Sequence, residues 1–171
     1  MIEKSIDHRL AWLAGIIDGE GTVSMGIWRS KKPYGRYESA IWYLFIPNTS
    51  QAMLNEVATI LDVLAVRYSF RPRAVRPKNL PMWSINVHHK ESFRAVLMAV
   101  MPYLIAKRPH AELALRALAH RYGNGPLRKS DSRFYVGGRG GRVQHPREDA
   151  DLMGMMDQMR VLNHSVPKEE T

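Results

Sequence analysis

The segment IDHRLAWLAGIIDGE, from Ile6 to Glu20, constrains this chain more than any other. Its spacing predicts a helix from Ile6 to Gly19, with Asp7 as a candidate cap, Leu10, Leu13 and Ile17 on one face and Ala11, Gly15 and Gly19 on another. A helix that is apolar on nearly every side has to be covered on both. Small residues four apart also allow a second backbone to come close, a geometry best described in membrane helices. In a chain otherwise suited to water, that pattern predicts a helix pair.

After Gly21 the period changes from helical to two. Thr22 to Arg29 and Tyr37 to Ile46 alternate as strands around a turn at Pro33, Tyr34 and Gly35, which makes a hairpin. Ser50 to Leu64 is helical again, with Met53, Leu54, Val57, Ile60, Leu61 and Leu64 as its apolar face. Val66 to Val75 alternates, with Val66, Tyr68 and Phe70 on one side and Arg67, Ser69, Arg71 and Arg73 on the other. A Pro-rich bend leads to Met82 to His89, where Trp83, Ile85 and Val87 face inward. Helices follow at Glu91 to Met101 and from Pro109, a favoured first helical residue, to about Tyr122. Another is expected at 147–163. The order is α+β, an antiparallel sheet covered by helices on one face. Residues 1–123 form the expected core. The Gly- and Arg-rich stretch and the last helix, 124–171, are expected to belong to the same domain, with a frayed tail from His164.

The charge is concentrated in one region. The chain has 171 residues, 25 Lys and Arg against 16 Asp and Glu, and 45% hydrophobic content, which places it among globular domains rather than disordered chains. Residues 1–60 carry six basic and six acidic groups, residues 61–145 sixteen and four, and residues 146–171 three and six. A basic excess confined to one block is the footprint of a polyanionic partner, nucleic acid before an anionic membrane or an acidic protein. With no cysteine, disulfides, thiolate zinc sites and Cys nucleophiles are excluded. The histidines (His8, His88, His89, His110, His120, His145 and His164) show no zinc spacing. No apolar run is long enough to span a bilayer and no signal-peptide pattern opens the chain, so a soluble intracellular protein without a membrane partner is expected.

The nine residues Leu13-Ala14-Gly15-Ile16-Ile17-Asp18-Gly19-Glu20-Gly21 resemble the LAGLIDADG motif. The elements after them, as far as Tyr122, follow the order of the single-motif LAGLIDADG homing endonucleases. The resemblance implies an αββαββα core whose antiparallel sheet forms a DNA-binding saddle, with extra C-terminal helices. It also implies a homodimer in which the motif helices pair across a two-fold axis through Ala11, Gly15, Asp18 and Gly19. The last acidic residue of the motif, Glu20 here, would bind a divalent metal together with Gly19. Mg²⁺ or Mn²⁺ is expected for cleavage, and Ca²⁺ for binding without it. Glu in place of the usual Asp is one methylene longer, which bears on metal position and rate. Asn48 matches the family's water-positioning residue and Lys107 its active-site lysine, so the implied catalytic set is Glu20, Asn48 and Lys107. Ala52 falls where the family has a further basic residue and cannot replace it.

Carboxylate oxygens are natural ligands for the hard cation that phosphodiester hydrolysis needs at neutral pH. The plain alternatives are a solvated helix end capped by Gly21 for Asp18 and Glu20, a turn or cap residue for Asn48, and a surface lysine for Lys107.

In the family the sheet lies in the major groove, which admits a two-stranded ribbon. The alternation gives the candidate reading face: Ser24, Gly26, Trp28 and Ser30; Ser39 and Tyr43; Arg67, Ser69, Arg71 and Arg73; and Ser84, Asn86 and His88. Lys31, Lys32 and Arg36 at the hairpin tip are placed for phosphate contact. Ile41 and Phe45 share the outward parity of the second strand. They read either as contacts to thymine methyls or as a register error of one residue. Arg128, Lys129, Arg133, Arg139 and Arg142 read as a backbone clamp or as a flexible linker, and the methionines from Met153 to Met159 as core filler.

The expected function is site-specific hydrolysis of both strands of a long pseudo-palindromic double-stranded DNA site. The alternative is a non-cleaving binder of the same fold, either an intron RNA maturase or a DNA-binding regulator.

Overall fold

The computed structural model describes residues 5–29, 38–73, 81–123 and 149–164. The chain runs α1 (Ile6–Glu20), β1 (Thr22–Arg29), β2 (Glu38–Asn48), α2 (Gln51–Val63), β3 (Ser69–Arg73), β4 (Met82–Val87), α3 (Lys90–Val100), a 3₁₀ turn (Met101–Tyr103), α4 (Arg108–Tyr122) and α5 (Ala150–His164). The four strands form one antiparallel sheet in the order β1-β2-β4-β3. This is the expected α+β architecture.

Alternation decides which sheet face is buried. Along β2, Ala40, Trp42, Leu44 and Ile46 are buried while the residues between them are only half-buried. Directly paired residues share a face, so Leu44 stands beside Val23 of β1 and Val87 of β4, and Ile46 beside Ile85. Against this face lie Leu13 and Ile17 of α1, Leu54, Val57 and Leu61 of α2, and Phe93, Val96 and Leu97 of α3, all fully buried. Each such side chain contributes about 1.5 to 3 kcal/mol by leaving water.

Local signals set the helix ends. Ser50 accepts the N–H of Met53 at 3.3 Å and starts α2. At the end of α1 the chain turns straight into β1 through Gly21, where a Cβ would come within 2.7 Å of the Ile17 carbonyl oxygen. Only glycine passes there.

Within the chain α1 is covered on one side, with Leu10, Leu13, Ala14 and Ile17 buried, and Ala11, Gly15 and Gly19, the face expected to meet a second helix, are exposed together with Trp12. Several strand bounds need correction. The third strand begins at Ser69 rather than Val66. Arg67 precedes it, and its backbone N–H donates to Ser92 Oγ of α3 at 2.9 Å, which ends the ladder. The fourth strand stops at Val87, so His88 lies beyond it. The second strand extends to Asn48, two residues past the expected Ile46.

Helix α5 packs on α4 and reaches β1, burying Leu152, Met156 and Met159. Asp149 caps it by accepting the Leu152 N–H at 3.0 Å, and the same carboxylate lies 2.9 Å from His120 Nε2 and 3.6 Å from Arg121. Burial pushes this carboxyl up. The Leu152 N–H, His120 and Arg121 outweigh burial and hold it below the ordinary carboxylate range. At the far end of α5, Asn163 donates to Ser24 Oγ at 3.3 Å.

Candidate nucleic-acid interface

The sheet face turned away from α1, α2 and α3 is built by register. Gly26 pairs with Ile41, Trp28 with Ser39, Phe45 with Asn86, Asn86 with Ser69, and Ser84 with Arg71, so all of these share one face, and Arg73, two residues after Arg71, joins them. Ile41 and Phe45 therefore do lie on this face, and the register is not shifted. Trp28 is 44% exposed, and Arg71, Arg73 and His88 are exposed as well. The face is not uniformly open. Ser24 is buried against Asn163 of α5, and Ser84 is buried with its hydroxyl accepting from Asn86 at 3.3 Å. Arg67 is exposed but stands outside the strand. Arg73 extends across the sheet, its guanidinium 4.9 Å from the centre of the Phe45 ring. Among the described residues of this face none is acidic.

The motif helix ends at one edge of this sheet. Glu20, exposed, lies two residues before Thr22, which pairs with Phe45, and Asn48 closes the same end of β2. Asp18, assigned from the motif to a dimer interface, is half-buried and occupied within the chain. Its two oxygens accept the backbone N–H groups of Ile105 and Lys107, each at 2.7 Å. Lys107 is the N-cap residue of α4 and has no side-chain capping bond of its own, so the Asp18 carboxylate supplies an acceptor where the helix start leaves donors unpaired. Asp18 thus ties the backbone of Lys107 to the end of α1 that carries Glu20, and Asn48 ends β2 on the side of the sheet where β1 begins.

Asn48 uses its carbonyl oxygen to accept the Ser50 N–H at 2.7 Å, a turn-residue contact. It can still offer a ligand or water its amide NH₂ and the second lone pair of that oxygen. One turn into α4, His110 is buried, and burial first and the Lys107 charge second lower its pKa from the usual histidine value. The role of Asp18, the burial of His110 and the Asn163 contact were not read from the sequence. Asp149, three residues before Leu152 at the start of a helical pattern, did carry a capping signal.

Ser30, Lys31, Lys32 and Arg36 lie outside the described residues, as does the arginine-rich stretch from Arg128 to Arg142. Among the described residues no helix is long and apolar enough to cross a membrane, and no three His, Asp or Glu side chains gather to hold a metal ion.

No protein-family model matches the sequence, and no curated protein matches it. Solved structures do. The chain is similar to the homing endonuclease I-CvuI in complex with its target in the presence of 2 mM Ca, at TM-score 0.64 and 20% identity over 97% of this chain and 87% of that one. It is similar to the archaeal intron-encoded homing endonuclease I-Vdi141I complexed with DNA, at TM-score 0.54 and 13% identity over 91% and 98%. It is also similar to the LAGLIDADG homing endonuclease I-GzeII in complex with a DNA target, at TM-score 0.54 and 11% identity, covering 89% of this chain and 43% of that one. With the motif at the end of α1 and the sheet order just described, this similarity over nearly the whole chain shows that the protein has the fold of the LAGLIDADG homing endonucleases.

Proposed function

We propose that the protein is a divalent-metal-dependent endonuclease that acts as a homodimer on both strands of a long pseudo-palindromic double-stranded DNA site. The observation that carries this reading is the pair of 2.7 Å bonds from Ile105 and Lys107 to Asp18, which ties the lysine segment to the helix end that presents Glu20. The similar structures named above hold DNA, and the cationic sheet face is of the kind that fits a major groove.

The chain's own residues divide the work. Arg71 and Arg73 bind and orient the duplex, and Arg suits guanine by bidentate geometry. The Lys107 ammonium faces the anionic phosphate. Asn48 holds a water through its amide NH₂. At the end of α1 each chain offers the exposed Glu20 carboxylate and the Gly19 carbonyl, which would hold a hard cation together with the carboxylate of a second copy and DNA phosphate oxygens. When bound, Mg²⁺ or Mn²⁺ supplies stabilisation of charge on the phosphate and eases formation of hydroxide. The pairing surface is the exposed Ala11, Gly15 and Gly19 face of α1.

A second reading, a non-cleaving nucleic-acid binder of this fold, is favoured by one contact: the Asn48 oxygen is already engaged by Ser50. Incubating the protein with a randomised duplex library, with Mg²⁺ and with Ca²⁺, and sequencing what is cut or retained separates the two. Cut sites with two-fold symmetry support the endonuclease. Retained but uncut duplexes in Mg²⁺ support a DNA binder, and no retention at all removes the endonuclease and the DNA-binding regulator and leaves an RNA binder.

A further inference from the structure

The centre of the open sheet face is apolar, which is unusual for a surface meant for a polyanion. Ile41, Tyr43 and Phe45 line a shallow groove there with Trp28, Asn86 and His88. The two aliphatic and aromatic positions that sequence parity left ambiguous are not equivalent. Phe45 lies under the Arg73 guanidinium at 4.9 Å, so its ring is a platform for that cation. Ile41 is paired with Gly26, and a Cβ built on Gly26 would meet nothing within 4 Å. A half-buried branched side chain therefore stands beside an open gap, on a face that carries Arg71 and Arg73 and no acidic residue among its described positions.

On the major-groove edge of a duplex the one apolar feature is the C5-methyl group of thymine. We propose that Ile41 reads such a methyl, so that each half-site of the target carries a thymine selected by contact with Ile41 in the gap over Gly26. Arginines on the same face meet guanine or phosphate, and Phe45 braces Arg73. The inference rests on the reading of this face as a duplex-DNA interface and deepens it by naming a base.

The test removes the methyl from the DNA rather than altering the protein. In a duplex selected by the protein from a randomised library, each thymine is replaced in turn by uracil, and binding is measured in Ca²⁺. One thymine in each half-site, at symmetry-related positions, is expected to show about a fourfold loss of affinity when its methyl is removed. Ile41→Ser and Ile41→Gln, checked for folding by thermal melting, are expected to bind the thymine and uracil duplexes equally well. If no thymine is sensitive, or if the penalty persists undiminished in both variants, the assignment of Ile41 is overturned while DNA binding stands. Equal affinity for an RNA duplex of the same sequence, whose uracils lack the methyl, also overturns it. Retention of no duplex overturns the DNA reading and this inference together.

Discussion

The carboxylate of Asp18 accepts the backbone N–H of Lys107 at 2.7 Å, joining two segments 89 residues apart. Its other oxygen accepts the N–H of Ile105 at the same distance. Hydrogen bonds to an ionised acceptor contribute about 1.5 to 3 kcal/mol, and partial exposure places this pair toward the lower end. Asp18→Ala is expected to lower unfolding stability by about 2 kcal/mol, and Asp18→Asn, which keeps one good acceptor, by about half of that. Urea denaturation checks both. An unchanged midpoint in the alanine variant would show that the contact contributes nothing to holding the Lys107 segment.

The glycines of α1 offer a test in which folding and association move in opposite directions. Beside Gly15 and Gly19 an added Cβ meets nothing within 4 Å in the single chain, and both are exposed. Gly15→Ala therefore suits the monomer and is expected to stabilise it by about 0.5 to 1 kcal/mol through helix propensity. Gly19→Leu, whose Cβ is also unobstructed in the monomer, is expected to block close approach of two helices. Sedimentation of the parent as a dimer and of Gly19→Leu as a folded monomer is the expected result. A parent that stays monomeric at high concentration removes the paired-helix arrangement.

Neutralising Glu20 should separate cutting from holding. Glu20→Gln keeps the side-chain size but offers an uncharged oxygen, a poor ligand for Mg²⁺. Cleavage is expected to vanish, while affinity, carried by the arginines of the sheet, is expected to persist through counterion release. Cleavage and gel-shift measurements on one selected site, with and without Mg²⁺, check this. Undiminished cutting by the variant would require another metal ligand.

His110 predicts a pH dependence of stability. Burial, and then the nearby Lys107 charge, hold its folded pKa below the usual histidine value of 6.5. The unfolded chain takes up the proton first as pH falls. The contribution of neutral His110 is therefore complete above about 6.5 and is lost as pH falls from there through the folded pKa. Melting temperature is expected to drop on acidification across that window, and His110→Leu to flatten the drop. A variant with the same slope as the parent would assign the dependence to other groups.

The sheet was legible in the sequence because alternation has an unambiguous physical cause: one face packs and the other does not. The parity of Gly26, Trp28, Tyr43, Arg71 and Asn86 followed directly from it. The apolar stripe on that face was visible too, as Ile41 and Phe45, but parity alone could not separate a true register from one shifted by a residue. The cross-strand pairing of Ile41 with Gly26 decides it, and pairing is a long-range property. Ser24 shows the same limit. Its parity was outward, yet Asn163, 139 residues away, covers it.

By itself the sequence determined the order of elements, the two faces of each strand and the apolar helix ending in two carboxylates, because periodicity and composition act within a few residues. Only the tertiary structure decided that Asp18 is used inside the chain, that it ties the Lys107 segment to the end of α1, and that the Gly15 face of α1 is left uncovered. Those are relations between segments with no local signal. A carboxylate at a helix end is equally compatible with solvent, metal or a backbone donor, and which it meets depends on where the rest of the chain folds.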